Sequence, residues 1–170
     1  MLEYAQEILH GSNKAEDKQE KIYFEEQGSV SIDLASFGLQ ESLRFIQDAL
    51  YLVSNKMESS RIIEESETHM HPDAQKRLIY LITLTINKTK SKVIIITHSP
   101  YILFVFNNLV YYSTIISRNP DAAKENDGYF GASELDRAAG EYLNIPASYI
   151  RAYSLKPGAD HYCTSIKMTR

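Results

Sequence analysis

Residues able to do chemistry gather in two short stretches of this chain. The first is Arg61-Ile-Ile-Glu-Glu-Ser-Glu-Thr-His-Met-His-Pro72, where two β-branched residues run into Glu64 and Glu65, with Glu67, His69 and His71 close behind. The second is Val93-Ile-Ile-Ile-Thr-His-Ser-Pro100, an apolar run that ends in Thr97, His98 and Ser99. Adjacent strand residues face opposite ways, so Glu64 and Glu65 would divide their labour. One carboxylate can hold a hard cation directly or through water, and the other can orient or deprotonate an attacking water. The plain alternative is two solvated acids at the mouth of a loop. His69, His71 and Glu67 are zinc-type ligands, but His-x-His in a turn lacks the helical spacing of the zinc hydrolase motif. A cap or packing role for His71 before Pro72 fits better. Ser99 lacks the glycine-flanked elbow of a serine nucleophile. His98 reads as a sensor of a bound anion or as a satisfied core histidine.

The elements that position these residues follow from the apolar pattern. Residues 61–65 and 93–96 read as strands with their polar residues at the C-terminal tips, where an open α/β sheet binds ligands. The 93–96 strand reads as buried on both faces. Between them Pro72 suits a first helical position, Asp73 suits the positive end of the helix dipole, and an apolar face runs to about Lys88. Upstream, residues 2–9 have helical spacing, and residues 13–21 read as a charged connection. Segments 22–24 and 30–32 read as a hairpin, and 34–43 as a loop entering a helix that ends near Ser54-Asn55. Downstream, the pattern predicts a short helix over 100–106, a strand over 109–112, a polar loop over 117–128 and a helix over 133–143 capped by Ser133. A C-terminal hairpin is expected over about 149–168. This order argues for an α/β fold, a mostly parallel sheet flanked by helices, with an antiparallel hairpin at each end and one domain over residues 1–170.

Bulk properties narrow the partners. A net charge of −4 and a pI of about 5.7 offer no general attraction for nucleic acid. The single cysteine, Cys163, excludes an internal disulfide framework and fits a reducing compartment. The N-terminus has neither the basic start nor the apolar run of a signal peptide. The apolar run Tyr101–Phe106 is too short to span a bilayer. A cytoplasmic protein without membrane attachment is expected.

Taken together, three segments resemble the second half of an ABC-type ATPase head of the SMC-, RecF- and OLD-like kind, a P-loop NTPase-type fold of which this chain would be a partial domain. That family ends one strand in Asp/Glu-Glu-Pro-Glu-x-x-Leu-His-Pro, and this chain has Glu64-Glu65-Ser66-Glu67-Thr68-His69-Met70-His71-Pro72. Its next strand ends in Thr-His-Ser-Pro, matched at every position by Thr97-His98-Ser99-Pro100. A Ser/Gly/Gln signature loop precedes the acidic strand, and Ser36-Phe37-Gly38-Leu39-Gln40 resembles it within segment 34–43. The resemblance implies ATP and Mg²⁺ as ligands. It gives Glu64 of the Walker B segment 61–72 the Mg²⁺ role and Glu65 the water-polarising role. It places Glu67 in the loop crossing a dimer interface and makes His98, on the switch strand 93–100, the γ-phosphate sensor. Ser36, Gly38 and Gln40 would then close in trans over the nucleotide of a homodimeric partner, and DNA or a nuclease is the expected further partner.

The chain also departs from the family pattern. Ser66 stands where proline is usual, Ser60 and Arg61 stand where the strand is usually apolar, and Phe37 falls at the phosphate-contacting serine. No Gly-x-x-x-x-Gly-Lys-Ser/Thr occurs, so the phosphate cradle and its lysine are missing from this sequence. The expectation is a C-terminal portion of a longer ATPase, with Met1 introduced or internal. Two other readings stand beside it: a degenerate, non-catalytic dimerisation or regulatory module, and a metal-dependent hydrolase using Glu64, Glu65, His69 and His71. Residues 107–170 carry no assigned chemistry.

Overall fold

Two parallel strands and the helix between them form the frame that carries the acids. A computed structural model of the chain describes residues 2–16, 19–24, 28–118, 143–155 and 163–166. Strand β4 (Ser60–Glu64) and strand β5 (Lys92–Ile96) pair in parallel, with Ile62 opposite Ile94 and Glu64 opposite Ile96. Helix α3 (Pro72–Thr89) is the crossover, as parallel pairing requires. It starts where Pro72 needs no N–H partner and where the His71 ring, as N-cap, accepts from the Asp73 N–H at 3.4 Å. The expected capping role of His71 is therefore present. The helix stops at Lys90, whose left-handed φ of 59° turns the chain into β5. From Leu78 to Thr85 every residue of α3 is buried, as in a helix enclosed on all sides.

A chain of hydroxyls ties that turn to both strand starts. Thr89 donates to the Thr85 carbonyl, Thr89 and Ser91 lie 2.6 Å apart, and Ser91 meets the Ser59 hydroxyl at 3.1 Å and the Ser59 N–H at 3.0 Å. Helix α2 (Phe37–Ser54) fastens to β4 through Arg61, which makes two 2.9 Å bonds to the carboxylate of Asp48. Arg61, beside the apolar Ile62-Ile63 of β4, thus has its partner one element upstream. Hydrogen bonding to Asp48, and then its negative charge, hold the guanidinium above its ordinary pKa.

The chain divides into two compact units, Met1–Ile102 and Leu103–Arg170. In the first, helix α1 (Leu2–Leu9) buries Ala5, Ile8 and Leu9 against Ile22, against Leu43, Ile46 and Ala49 of α2, and against Leu81 of α3. An antiparallel sheet of strands β1 (Ser12–Glu16), β2 (Gln19–Phe24) and β3 (Gly28–Ser31) follows α1. The expected hairpin is present, but residues 13–21 are not a connection. Ser12–Glu16 is a strand in register with Gln19–Tyr23. Its residues are polar on both faces, so no alternation marked it; the Lys14 ammonium over the Tyr23 ring at 5.2 Å helps to fix it.

Two further expectations are corrected. The pattern predicted a helix over 100–106 and a strand over 109–112, whereas a single helix α4 runs Pro100–Arg118. Its buried residues Ile102, Val105, Leu109, Val110 and Tyr112 follow a helical repeat straight through Asn107-Asn108. Ser113, Thr114 and Ser117 each donate back to the carbonyl four residues earlier, which suits a helix and not a strand. Strand β5 is not buried on both faces, because Ile94 is 60% exposed, as Ile62 beside it is 71% exposed. Nor is parallel pairing dominant: among the described residues only β4 and β5 pair that way. In the second unit, Ser113 accepts from the Ile145 N–H at 2.7 Å. Strands β6 (Ala152–Leu155) and β7 (Cys163–Ile166) form the expected C-terminal hairpin. The loop expected over 117–128 begins inside α4 at residues 117–118 and otherwise lies outside the described residues, as does most of the helix expected over 133–143. Among the described residues no helix is long and apolar enough to cross a membrane.

Candidate functional site

The tips of β4 and β5 lie side by side because the two strands are in register to their last residues. One further backbone bond, from the Glu65 N–H to the Ile96 carbonyl at 2.8 Å, continues the pairing past β4. Glu65 itself has φ of 48° and His69 φ of 63°. Each left-handed residue costs about 1–2 kcal/mol relative to an ordinary conformation, and such strain collects where geometry is set by function. The bend at Glu65 ends the strand. There the Glu65 Oε1 meets the Nε2 of His98 at 3.0 Å. The two side chains are 48% and 85% exposed, so the contact adds little to stability. It leaves a base and a donor paired at an open surface.

Glu64, the last residue of β4, is exposed on the same face as Ile62 and has no ion-pair partner among the described residues. Its hard, solvent-facing oxygens fit a magnesium ion that keeps most of its water. Glu67 behaves differently. It is buried, its Oε1 accepts from the Thr97 hydroxyl, and its Oε2 has no partner among the described residues. Ser66, at the position where proline is usual, is buried as well. The turn is held from outside by Gln75 of α3, whose amide donates to the carbonyls of Glu67 at 3.3 Å and Met70 at 3.1 Å.

The 34–43 segment reaches the same turn. A short 3-10 turn (Ile32–Leu34) leads to Ser36, the N-cap of α2, whose hydroxyl accepts from the Leu39 N–H at 3.4 Å. Gln40 is spent on the Ala35 carbonyl at 3.0 Å, which closes the loop onto its helix. Gly38 is buried against the turn, so close that a Cβ there would lie 2.5 Å from the His69 carbonyl oxygen. The Phe37 and His69 rings sit 6.2 Å apart, and Phe37 is 72% exposed. The structure therefore brings Glu64, Glu65, Glu67, Gly38 and His98 to one end of the first unit.

A comparison with protein families covers the stretch that holds these residues. The family described as "AAA ATPase domain" matches residues 3–103, more than half of the chain. The chain belongs to the AAA ATPase domain family. The matched stretch of this AAA ATPase domain coincides with the first compact unit and contains both strand tips. No curated protein matched the sequence.

Some contributors to the site were not singled out by sequence. Thr97 was visible as part of Thr-His-Ser-Pro, but nothing local signalled that its partner is Glu67, thirty positions upstream. Nothing local marks Gln75, in the first turn of α3, as the donor to the Glu67 and Met70 carbonyls. His69 and His71 do not join the acids: among the described residues no three His, Cys, Asp or Glu side chains converge to hold a metal ion.

Proposed function

We propose that this domain hydrolyses ATP at the tips of β4 and β5, in the manner of an ABC-type, P-loop NTPase-type head. The observation that supports it most is the exposed Glu65–His98 pair, formed across two parallel strand ends at 3.0 Å and too open to be structural. In this reading Glu64 holds Mg²⁺ largely through water, and the ion's contribution is to neutralise charge on the β- and γ-phosphates. Glu65 accepts a proton from the attacking water as its oxygen bonds to the γ-phosphorus. The bond from that phosphorus to the bridging oxygen breaks, and ADP leaves with that oxygen. His98 holds the Glu65 carboxylate in place through its Nε2–H, and a γ-phosphate contact would fall to the other ring nitrogen, Nδ1, when that nitrogen carries a proton. The cradle for the remaining phosphates comes from a further segment, since no Gly-x-x-x-x-Gly-Lys-Ser/Thr lies in this sequence.

The N-terminus of α2 then serves a second copy. An 18-residue helix presents a positive dipole end at Ser36, flanked by the exposed apolar side chains of Leu34 and Phe37. That combination suits contact with a nucleotide held by the partner of a homodimer. Coupling to DNA or to a nuclease extends the same reading by analogy of fold. The exposed Phe37 at the signature position favours a second reading, in which the domain dimerises or regulates without turnover.

Mg²⁺-dependent ATP hydrolysis by this domain together with the segment that supplies the phosphate cradle, wild type against Glu65→Gln, separates them. Loss of the base should lower turnover by about 10²- to 10⁴-fold while nucleotide still binds and the dimer persists. Equal inactivity of both proteins with ATP bound would favour the regulatory reading. Failure of both to bind ATP would overturn the nucleotide site.

A further inference from the structure

We propose that Glu67 is a positioning residue for the Glu65–His98 pair and acts through Thr97. The proposal rests on the reading of that pair as the water-activating couple. Beyond Ile96 strand β5 has no further ladder, so the backbone that carries His98 needs another anchor. Thr97 provides it with a single oxygen: the hydroxyl donates to Glu67 Oε1 and accepts from the Ser99 N–H at 2.9 Å. His98 lies between the two residues so tied. On the other side, the Glu67 carbonyl accepts from Gln75 of α3 at 3.3 Å and from the Met70 N–H at 3.2 Å. Glu67 is thus fixed to the α3 end of the turn by its main chain and to the β5 tip by its side chain.

The residue type matters. Glu67 is 8% exposed and its Oε2 has no partner among the described residues. Burying a carboxylate is unfavourable, and for stability alone a glutamine would reach Thr97 equally well. A carboxylate, however, is an acceptor only. It forces the Thr97 proton toward Glu67 and so leaves the Thr97 lone pair for the Ser99 N–H. An amide could donate to Thr97 instead and compete with Ser99. The charged acceptor therefore sets the direction of both bonds, and through them the stance of His98 over Glu65.

The test uses this domain together with the segment that supplies the phosphate cradle, and the variants Thr97→Val, Thr97→Ser, Glu67→Gln, His98→Ala, Glu65→Gln and the Glu67→Gln/His98→Ala double variant. Valine keeps the shape of threonine and removes the hydroxyl, so Thr97→Val should fold while lowering kcat by about 10- to 100-fold with KM little changed. Thr97→Ser should restore most of kcat. In the His98→Ala background the effect of Glu67→Gln should vanish, because positioning a residue that is gone achieves nothing. Independently of turnover, nuclear Overhauser contacts between the His98 ring and the Glu65 methylenes should be lost in Thr97→Val and kept in Thr97→Ser. Additive effects in the Glu67/His98 cycle, or contacts that persist in Thr97→Val, would overturn the positioning role alone. If Glu65→Gln and His98→Ala themselves leave turnover unchanged, the water-activating reading fails and the proposal falls with it.

Discussion

Replacing Gly38 with alanine puts a methyl group against main chain. Gly38 is the second residue of α2, where its backbone needs no left-handed conformation, so glycine is there for space. A Cβ would stand 2.5 Å from the His69 carbonyl oxygen and 3.2 Å from its carbon, well inside the roughly 3.5–4.0 Å of an optimal contact. No rotamer change relieves a clash with a carbonyl, so α2 or the turn after Glu65 must move. Two effects then compete. Alanine gains up to about 1 kcal/mol of helix propensity, less in a first turn, while forcing a methyl into a packed contact costs about 1–3 kcal/mol. The expected net result is a loss of about 1–2 kcal/mol, read as a lower urea midpoint at unchanged slope. The amide resonances of His69 and Met70 should shift with it. Gly28→Ala is the matched control: φ there is +83° with nothing within 4 Å among the described residues, so it should lose stability through backbone strain without moving those resonances. A Gly38→Ala protein as stable as wild type, with His69 and Met70 unshifted, would refute the close approach of α2 to the acidic turn.

Other perturbations follow from the same contacts. Ser91→Ala removes the acceptor of the Ser59 N–H and should cost about 1–3 kcal/mol, with faster hydrogen exchange at Ser59. Burial raises the Tyr112 phenol above its ordinary pKa, so the folded state favours the neutral form. The stability this represents is complete below the unfolded value of about 10 and is lost as pH rises through the folded one. Urea midpoints on the two sides of that pH should therefore fall less in Tyr112→Phe than in wild type. A double-mutant cycle of Arg61→Ala and Asp48→Ala should give a coupling of about 0.5 kcal/mol, because both side chains are more than a third exposed. With Arg61 held above its ordinary value, raising the pH from neutral to about 9 should leave that coupling unchanged.

Much of the frame was legible in the sequence because it is encoded locally. The helices at 2–9, 37–54 and 72–89 announce themselves by apolar repeat, Pro72 by its preference for a first helical position, and β4 and β5 by β-branched runs with polar tips. The polar edge strand Ser12–Glu16 was not legible, since it exists only through pairing with β2. The pattern ends one helix at Phe106 and starts a strand at Leu109, yet the buried face of α4 continues through Asn107-Asn108.

For the site, residue types alone determined which groups are present: two acids at one strand tip, a third in the turn, a histidine at the next tip, a glycine at the start of α2. Tertiary structure decided which of them meet. Parallel register brings Glu65 to His98, a left-handed residue at Glu65 ends the strand there, and the buried Glu67 meets Thr97. The physical reason is range. Capping and helical periodicity act over a few residues, and those residues are adjacent in the chain. A hydrogen bond between positions thirty apart exists only after two strands have paired and a helix has packed beside them.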